Sequence, residues 1–168
     1  MIKVLKRYWQ ALRFSEVFLM SGFFLIGGIF AINSFDYENI LKLLGLGVLS
    51  VTIVLSVYSF NSAAGKEKDA NNIRLQNLWN FSEKKFLFFA LIFFLISLSL
   101  SFVLNKFASI LCAITIFLWS LYAHKTNGLK QKAIYGTLIH FFGQIIHFVM
   151  AWIIFREFSY EAILIAIF

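Results

Sequence analysis

The chain has 168 residues, 61% of them hydrophobic and 14% charged, with 22 Phe and no Pro. A soluble domain carries about a quarter charged residues to cover its surface, so this composition excludes a water-borne globule and makes the lipid bilayer the solvent. Lys and Arg number 15 against 8 Asp and Glu, a formal charge of +7. With no aromatic or glycine motif for reading bases, that excess excludes nucleic acid as a partner and belongs to the membrane surface.

The opening "KVLKRYWQALRF" is amphipathic and basic, which predicts a segment lying along the inner leaflet. Charge-free runs follow at 17–35, 43–65, 86–105, 107–124 and 133–155. Each is close to the ~20 apolar residues that cross a bilayer as a helix, so five complete transmembrane helices are expected. The first run is too long for a signal-peptide core and lacks a small-residue cleavage site, so it counts as a span. Only Lys106 separates the third and fourth runs, which predicts a tight antiparallel hairpin. A sixth helix starts near Tyr160, and "SYEAILIAIF" is too short to cross hydrocarbon about 30 Å thick. The expected fold is an all-α polytopic membrane bundle, a single transmembrane domain over 1–168 that stops inside its sixth span.

Basic residues set the orientation. Lys3, Lys6, Arg7 and Arg13 precede the first span, and the first loop has only Lys42. The second loop holds Lys66, Lys68, Arg74, Lys84 and Lys85, the third only Lys106. Lys125, Lys130 and Lys132 crowd the fourth, and Arg156 stands alone in the fifth. Rich and poor segments alternate without exception, which predicts a cytoplasmic N-terminus with the second and fourth loops on the same side.

Several polar and small residues lie inside the spans. Gly22, Gly27, Gly28, Gly45 and Gly47 suit close helix approach. Ser97, Ser99 and Ser101 suit bonds back to their own helix carbonyls. Cys112 reads as a small apolar filler. His140, Gln144 and His147 fall at i, i+4 and i+7, on one face of the fifth helix. Polar groups inside a membrane face a cavity or a partner helix. The stripe therefore reads either as a cavity wall or as a set of interhelical hydrogen bonds.

The longest interruption of the apolar pattern is "YSFNSAAGKEKDANN", residues 58–72. It resembles the first aspartate-rich motif of the UbiA-type intramembrane prenyltransferases, Asn-Asp-x-x-Asp-x-x-x-Asp, at the cytoplasmic end of the second helix. Asn61 takes the Asn position and Asp69 the last Asp, while Ser62 and Gly65 replace the other two acids. "YAHKTNGLKQKAIYG" resembles the family's Tyr-Ser-x-Pro-Pro-x-x-Leu-Lys segment through Tyr122, Leu129 and Lys130. "LRFSEVFLMSGFFLIGG" resembles its Arg-Pro start of the first helix, with Arg13 kept and Phe14 in the Pro position.

The resemblance implies the N-terminal half of a nine-helix prenyltransferase fold, with further helices supplied by sequence beyond this chain or by a partner chain. It implies a polyprenyl diphosphate donor and a hydrophobic acceptor such as an aromatic acid, a quinone precursor or haem. Asn61 and Asp69 would hold Mg²⁺, with two of the three motif acids gone. Arg13, Lys66, Lys68 and Lys130 would meet the diphosphate. Tyr122, His140, Gln144 and His147 would border the acceptor. Mg²⁺ needs carboxylate and other oxygen ligands to balance a leaving diphosphate. The missing acids therefore keep a second expectation open, a non-catalytic scaffold or partner subunit of the same descent. A channel finds little support, because no charge lies within the spans.

Overall fold

The computed structural model describes residues 8–65, 82–124, 129 and 132–167. Every regular element among them is a helix. After one turn at 8–11, the chain forms α1 (Phe14–Ala31), α2 (Tyr37–Gly65) and α3 (Glu83–Leu104). α4 (Lys106–Ala123), α5 (Ala133–Phe155) and the short α6 (Tyr160–Ile167) complete it. The first five are long and apolar enough to cross a membrane, as the charge-free runs predict. The chain is an integral membrane protein.

The helix ends differ from the run ends for local reasons. α1 stops at Ala31, short of the predicted 35, because Asp36 caps the next helix. Its carboxylate accepts the Asn39 N–H at 2.8 Å and the Ser34 hydroxyl at 2.7 Å, satisfying a donor at the start of α2. α2 therefore begins at Tyr37 rather than 43. At the hairpin the single residue between helices is Asn105, and Lys106 already belongs to α4. Extended backbone (φ −165°, ψ 126°) reverses the chain there. The Asn105 side chain accepts the Phe107 N–H at 2.8 Å and donates to the Ile153 carbonyl of α5 at 2.7 Å. One asparagine thus ends α3, caps α4 and ties both to α5.

Lipid offers no hydrophobic drive between helices, so close packing and hydrogen bonds hold the bundle. Ser56 of α2 donates to the Ala90 carbonyl of α3 at 2.9 Å, and the hydroxyls of Ser97 of α3 and Thr52 of α2 meet at 3.0 Å. Ser97 and Ser101 also bond back to the Phe93 and Leu98 carbonyls of their own helix. Cys112 is fully buried in the central apolar cluster. At Gly27 a Cβ would lie 2.7 Å from the Phe148 carbonyl, so α1 and α5 cross backbone to backbone. Gly28 faces Leu46 and Gly45 faces Leu104, whereas Gly22 has nothing within 4 Å and Gly47 meets only Leu25 at 3.9 Å. Close approach thus explains three of the five glycines.

The described part of the N-terminal segment exposes Tyr8 and Trp9 and turns its other side to the bundle. Ala11 packs with Ala63 and Phe86, and Leu12 joins the central cluster, because the turn at 8–11 folds over the ends of α2 and α3.

Candidate functional site

Helices in up-and-down order bring the start of α1, the end of α2, the end of α4 and the start of α5 to one end of the bundle. Between them lies a cavity of about 150 Å³. Arg13, Met20, Val57, Tyr58, Asn61, Trp119, Tyr122, His140 and His147 are among its lining residues. Val54, Val57, Tyr58 and Asn61 recur at helical spacing, so one face of α2 supplies that wall. An engineered apolar cavity of about 150 Å³ in another protein admits benzene, which sets the scale: room for one ring or for the isoprene-sized end of a longer ligand.

Arg13 stands where the chain turns from the first helical turn into α1. Its φ of 55° and ψ of 39° make it the one non-glycine residue with positive φ among the described residues. That conformation costs a bulky residue of order 1 kcal/mol and persists only where surrounding contacts hold it. The contacts are visible. The guanidinium pairs with Glu16 and lies over the Tyr58 ring, 4.6 Å from its centroid. Its Nε is buried without a hydrogen-bond partner among the described residues. Glu16 thus balances part of the charge that the cavity would otherwise receive.

Three rings form the opposite wall. Trp119, Tyr122 and His140 meet edge to face, with centroids 4.5 to 5.3 Å apart. Such contacts fix ring orientation as well as burying area. Gly143 makes room for the indole, since a Cβ there would lie 3.4 Å from the Trp119 nitrogen. Deeper in, His147 is 4% exposed and stacks on Phe24 at 4.1 Å. Its Nε2 has no hydrogen-bond partner among the described residues.

Five of the residues expected from sequence therefore converge: Arg13, Asn61, Tyr122, His140 and His147. Gln144 does not line the cavity, and its Oε1 is buried without a hydrogen-bond partner among the described residues. The lining side of α5 carries His140 and His147, with Gly143 between them against the Trp119 ring. Ser62, at one of the motif's acid positions, is buried but also absent from the lining. Lys66, Lys68, Asp69 and Lys130 lie outside the described residues. Tyr58 and Trp119 were not singled out from sequence, yet each sits three residues before a chosen one, at helical spacing.

Does this lining suit Mg²⁺? Among the described residues no three His, Cys, Asp or Glu side chains cluster as metal ligands. Among the described residues the lining's side-chain oxygens come from Asn61 and two tyrosines, with no carboxylate. Mg²⁺ favours carboxylate oxygens in octahedral array, and these residues do not fit it.

The model of the UbiA prenyltransferase family matches residues 18–168. Neither the curated proteins nor the solved structures contain a match.

Proposed function

The chain belongs to the UbiA prenyltransferase family, and from that premise we propose that it moves a prenyl group from a prenyl diphosphate to a hydrophobic acceptor in the cavity described above. The observation that carries this reading is the pairing of a guanidinium at one side of a small, aromatic-walled cavity with an imidazole nitrogen at its floor that has no partner among the described residues. In the reaction the bond between the allylic carbon and the diphosphate oxygen breaks, and its electron pair leaves with the diphosphate. The acceptor's nucleophilic atom then bonds to that carbon and releases a proton.

Arg13 would meet the diphosphate, whose arrival competes with Glu16 for the guanidinium. Lys66, Lys68 and Lys130 would add positive charge from the adjoining loops. The faces of Trp119 and Tyr122 would stabilise positive charge developing on the allylic carbon. Scarce water strengthens each of these interactions. His147 would hold a polar atom of the acceptor through Nε2. The alternation of basic segments would put this mouth in the cytoplasm.

A second reading, a family member without catalysis, draws on Ser62 and Gly65 in the acid positions and on the lack of a lining carboxylate among the described residues. One experiment separates the two. Purified protein is given farnesyl diphosphate with and without Mg²⁺, and released diphosphate and bound donor are both measured. With an aromatic-acid acceptor added, prenylated acceptor and released diphosphate that both disappear in Arg13→Ala support transfer. Binding without release assigns the non-catalytic role, and neither binding nor release rejects the cavity as a prenyl-diphosphate site.

A further inference from the structure

At the opposite end of the bundle, α4 and α5 part beside Asn105 and leave an open groove of about 850 Å³. Its walls are apolar and include Phe107, Ile110 and Leu111 of α4 with Val149 and Ile153 of α5. Its rim is not. Asn105, Arg156 and Glu157 also line it, at the point where α5 ends. The Arg156 guanidinium lies over the Trp152 ring, 5.4 Å from its centroid. It donates to the Asn33 side-chain oxygen. Its Nε is buried without a hydrogen-bond partner, and no carboxylate is ion-paired with it among the described residues. The Trp152 indole donates to the Glu157 carbonyl at 3.2 Å, leaving the ring fixed beneath the cation. A second cation, Lys106, stands over the wall residue Phe107 at 5.3 Å.

An apolar trough within the bilayer ends at a tryptophan and an arginine, the residue types of the membrane–water boundary. A guanidinium that lines the groove with no carboxylate partner among the described residues suits an acceptor that also carries negative charge. A soluble anion answers the rim and leaves the trough unfilled. An apolar helix fills the trough and leaves the cation unpaired. A phospholipid does both, because its phosphate sits at the boundary and its chains run into the hydrocarbon.

We infer that this groove is a phospholipid site, with the phosphodiester on Arg156 and one acyl chain lying between α4 and α5. No substrate of the cavity is involved, so the inference stands or falls apart from the proposed transfer.

The test uses delipidated protein in detergent, offered dioleoyl phosphatidylglycerol or dioleoylglycerol, with retained lipid counted by native mass spectrometry. Charge-assisted hydrogen bonds predict retention of the phospholipid about tenfold above the diacylglycerol. Arg156→Gln removes that preference and Arg156→Lys keeps part of it. Arg156→Gln also loses the Asn33 bond, so Ile110→Trp serves as a second variant. Ile110 is 55% exposed, and a larger ring there fills the trough without touching the rim. It lowers retention while the protein still elutes as the parent does. Lys42→Gln, at the same end but outside the groove, leaves retention unchanged. Equal retention of the two lipids, or retention indifferent to both Arg156→Gln and Ile110→Trp, overturns the inference. A stable dimer that Ile110→Trp abolishes also overturns it, by assigning the groove to a second copy.

Discussion

Gly27 offers a quantitative check on how α1 meets α5. A Cβ added there would lie 2.7 Å from the Phe148 carbonyl oxygen, 3.1 Å from the Phe148 Cα and 3.1 Å from the Ala151 Cβ. The first two are backbone atoms of a packed helix, so relief requires the helices to separate. Overpacking of this kind costs about 1 to 3 kcal/mol. The better helix propensity of alanine returns about 1 kcal/mol. Gly27→Ala is therefore expected to lose up to about 2 kcal/mol net. Gly28→Ala meets the Leu46 Cδ2 at 2.5 Å and the Phe155 ring at 3.1 Å, side-chain atoms that can turn away, so its loss is smaller. At Gly22 nothing lies within 4 Å, and alanine there gains only its propensity, about 1 kcal/mol or less. Denaturant or thermal unfolding in detergent, followed by circular dichroism, ranks the three variants. The expected order of stability is Gly22→Ala, then Gly28→Ala, then Gly27→Ala. Equal stability of the first and last would refute the backbone crossing. The crossing also seats Phe24 against His147, so Gly27→Ala is expected to weaken ligand binding in the cavity.

Three further predictions concern single contacts. Arg13→Ala is expected to weaken farnesyl diphosphate binding about tenfold, while Glu16→Gln, which frees the guanidinium, strengthens it; isothermal titration reads both signs. Asn105→Ala removes the cap of α4 and leaves the Ile153 carbonyl unmatched, a loss of about 1 to 3 kcal/mol by the same unfolding assay. At Asp36 the Asn39 N–H first, then the Ser34 hydroxyl, hold the carboxyl below its ordinary value of 3.8. A depressed folded value means that its stabilisation is present above the ordinary carboxylate range and is lost as pH falls through the folded value. Carboxyl-carbon NMR of Asp36 is expected to titrate below 3.8, and Ser34→Ala is expected to move it back up.

The spans were legible because the bilayer admits few charges, so each apolar run had to become a helix. Their ends were less so. Asp36 and Asn105 set boundaries through side-chain bonds that hydropathy does not register. Arg13 gave no warning, since arginine has no preference for left-handed backbone and Phe14 offers none of proline's stiffness. In the cavity, Asn61 and Tyr122 came from motif resemblance and the two histidines from the cost of polar groups in lipid. Trp119 and Tyr58 carried no such mark in a chain so rich in aromatic rings. Gln144 shares a helical stripe with the histidines, yet the indole of Trp119 lies over Gly143 and marks the other edge of that stripe as the lining.

The one-residue link at Asn105 bears on how the chain enters the membrane. As α3 leaves the ribosome and spans the bilayer, the next residue is a turn and the one after already starts α4. A link of one residue leaves little slack for α3 to settle while α4 waits on one side, which favours entry of the two as a hairpin. The side-chain amide of Asn105 finds the Ile153 carbonyl only when α5 arrives, about 50 residues' worth of chain later at a synthesis speed of roughly 5 to 20 residues per second. Seconds of biogenesis thus separate closing the hairpin from locking it, and a nascent chain stalled before α5 would hold α3 and α4 joined but unanchored.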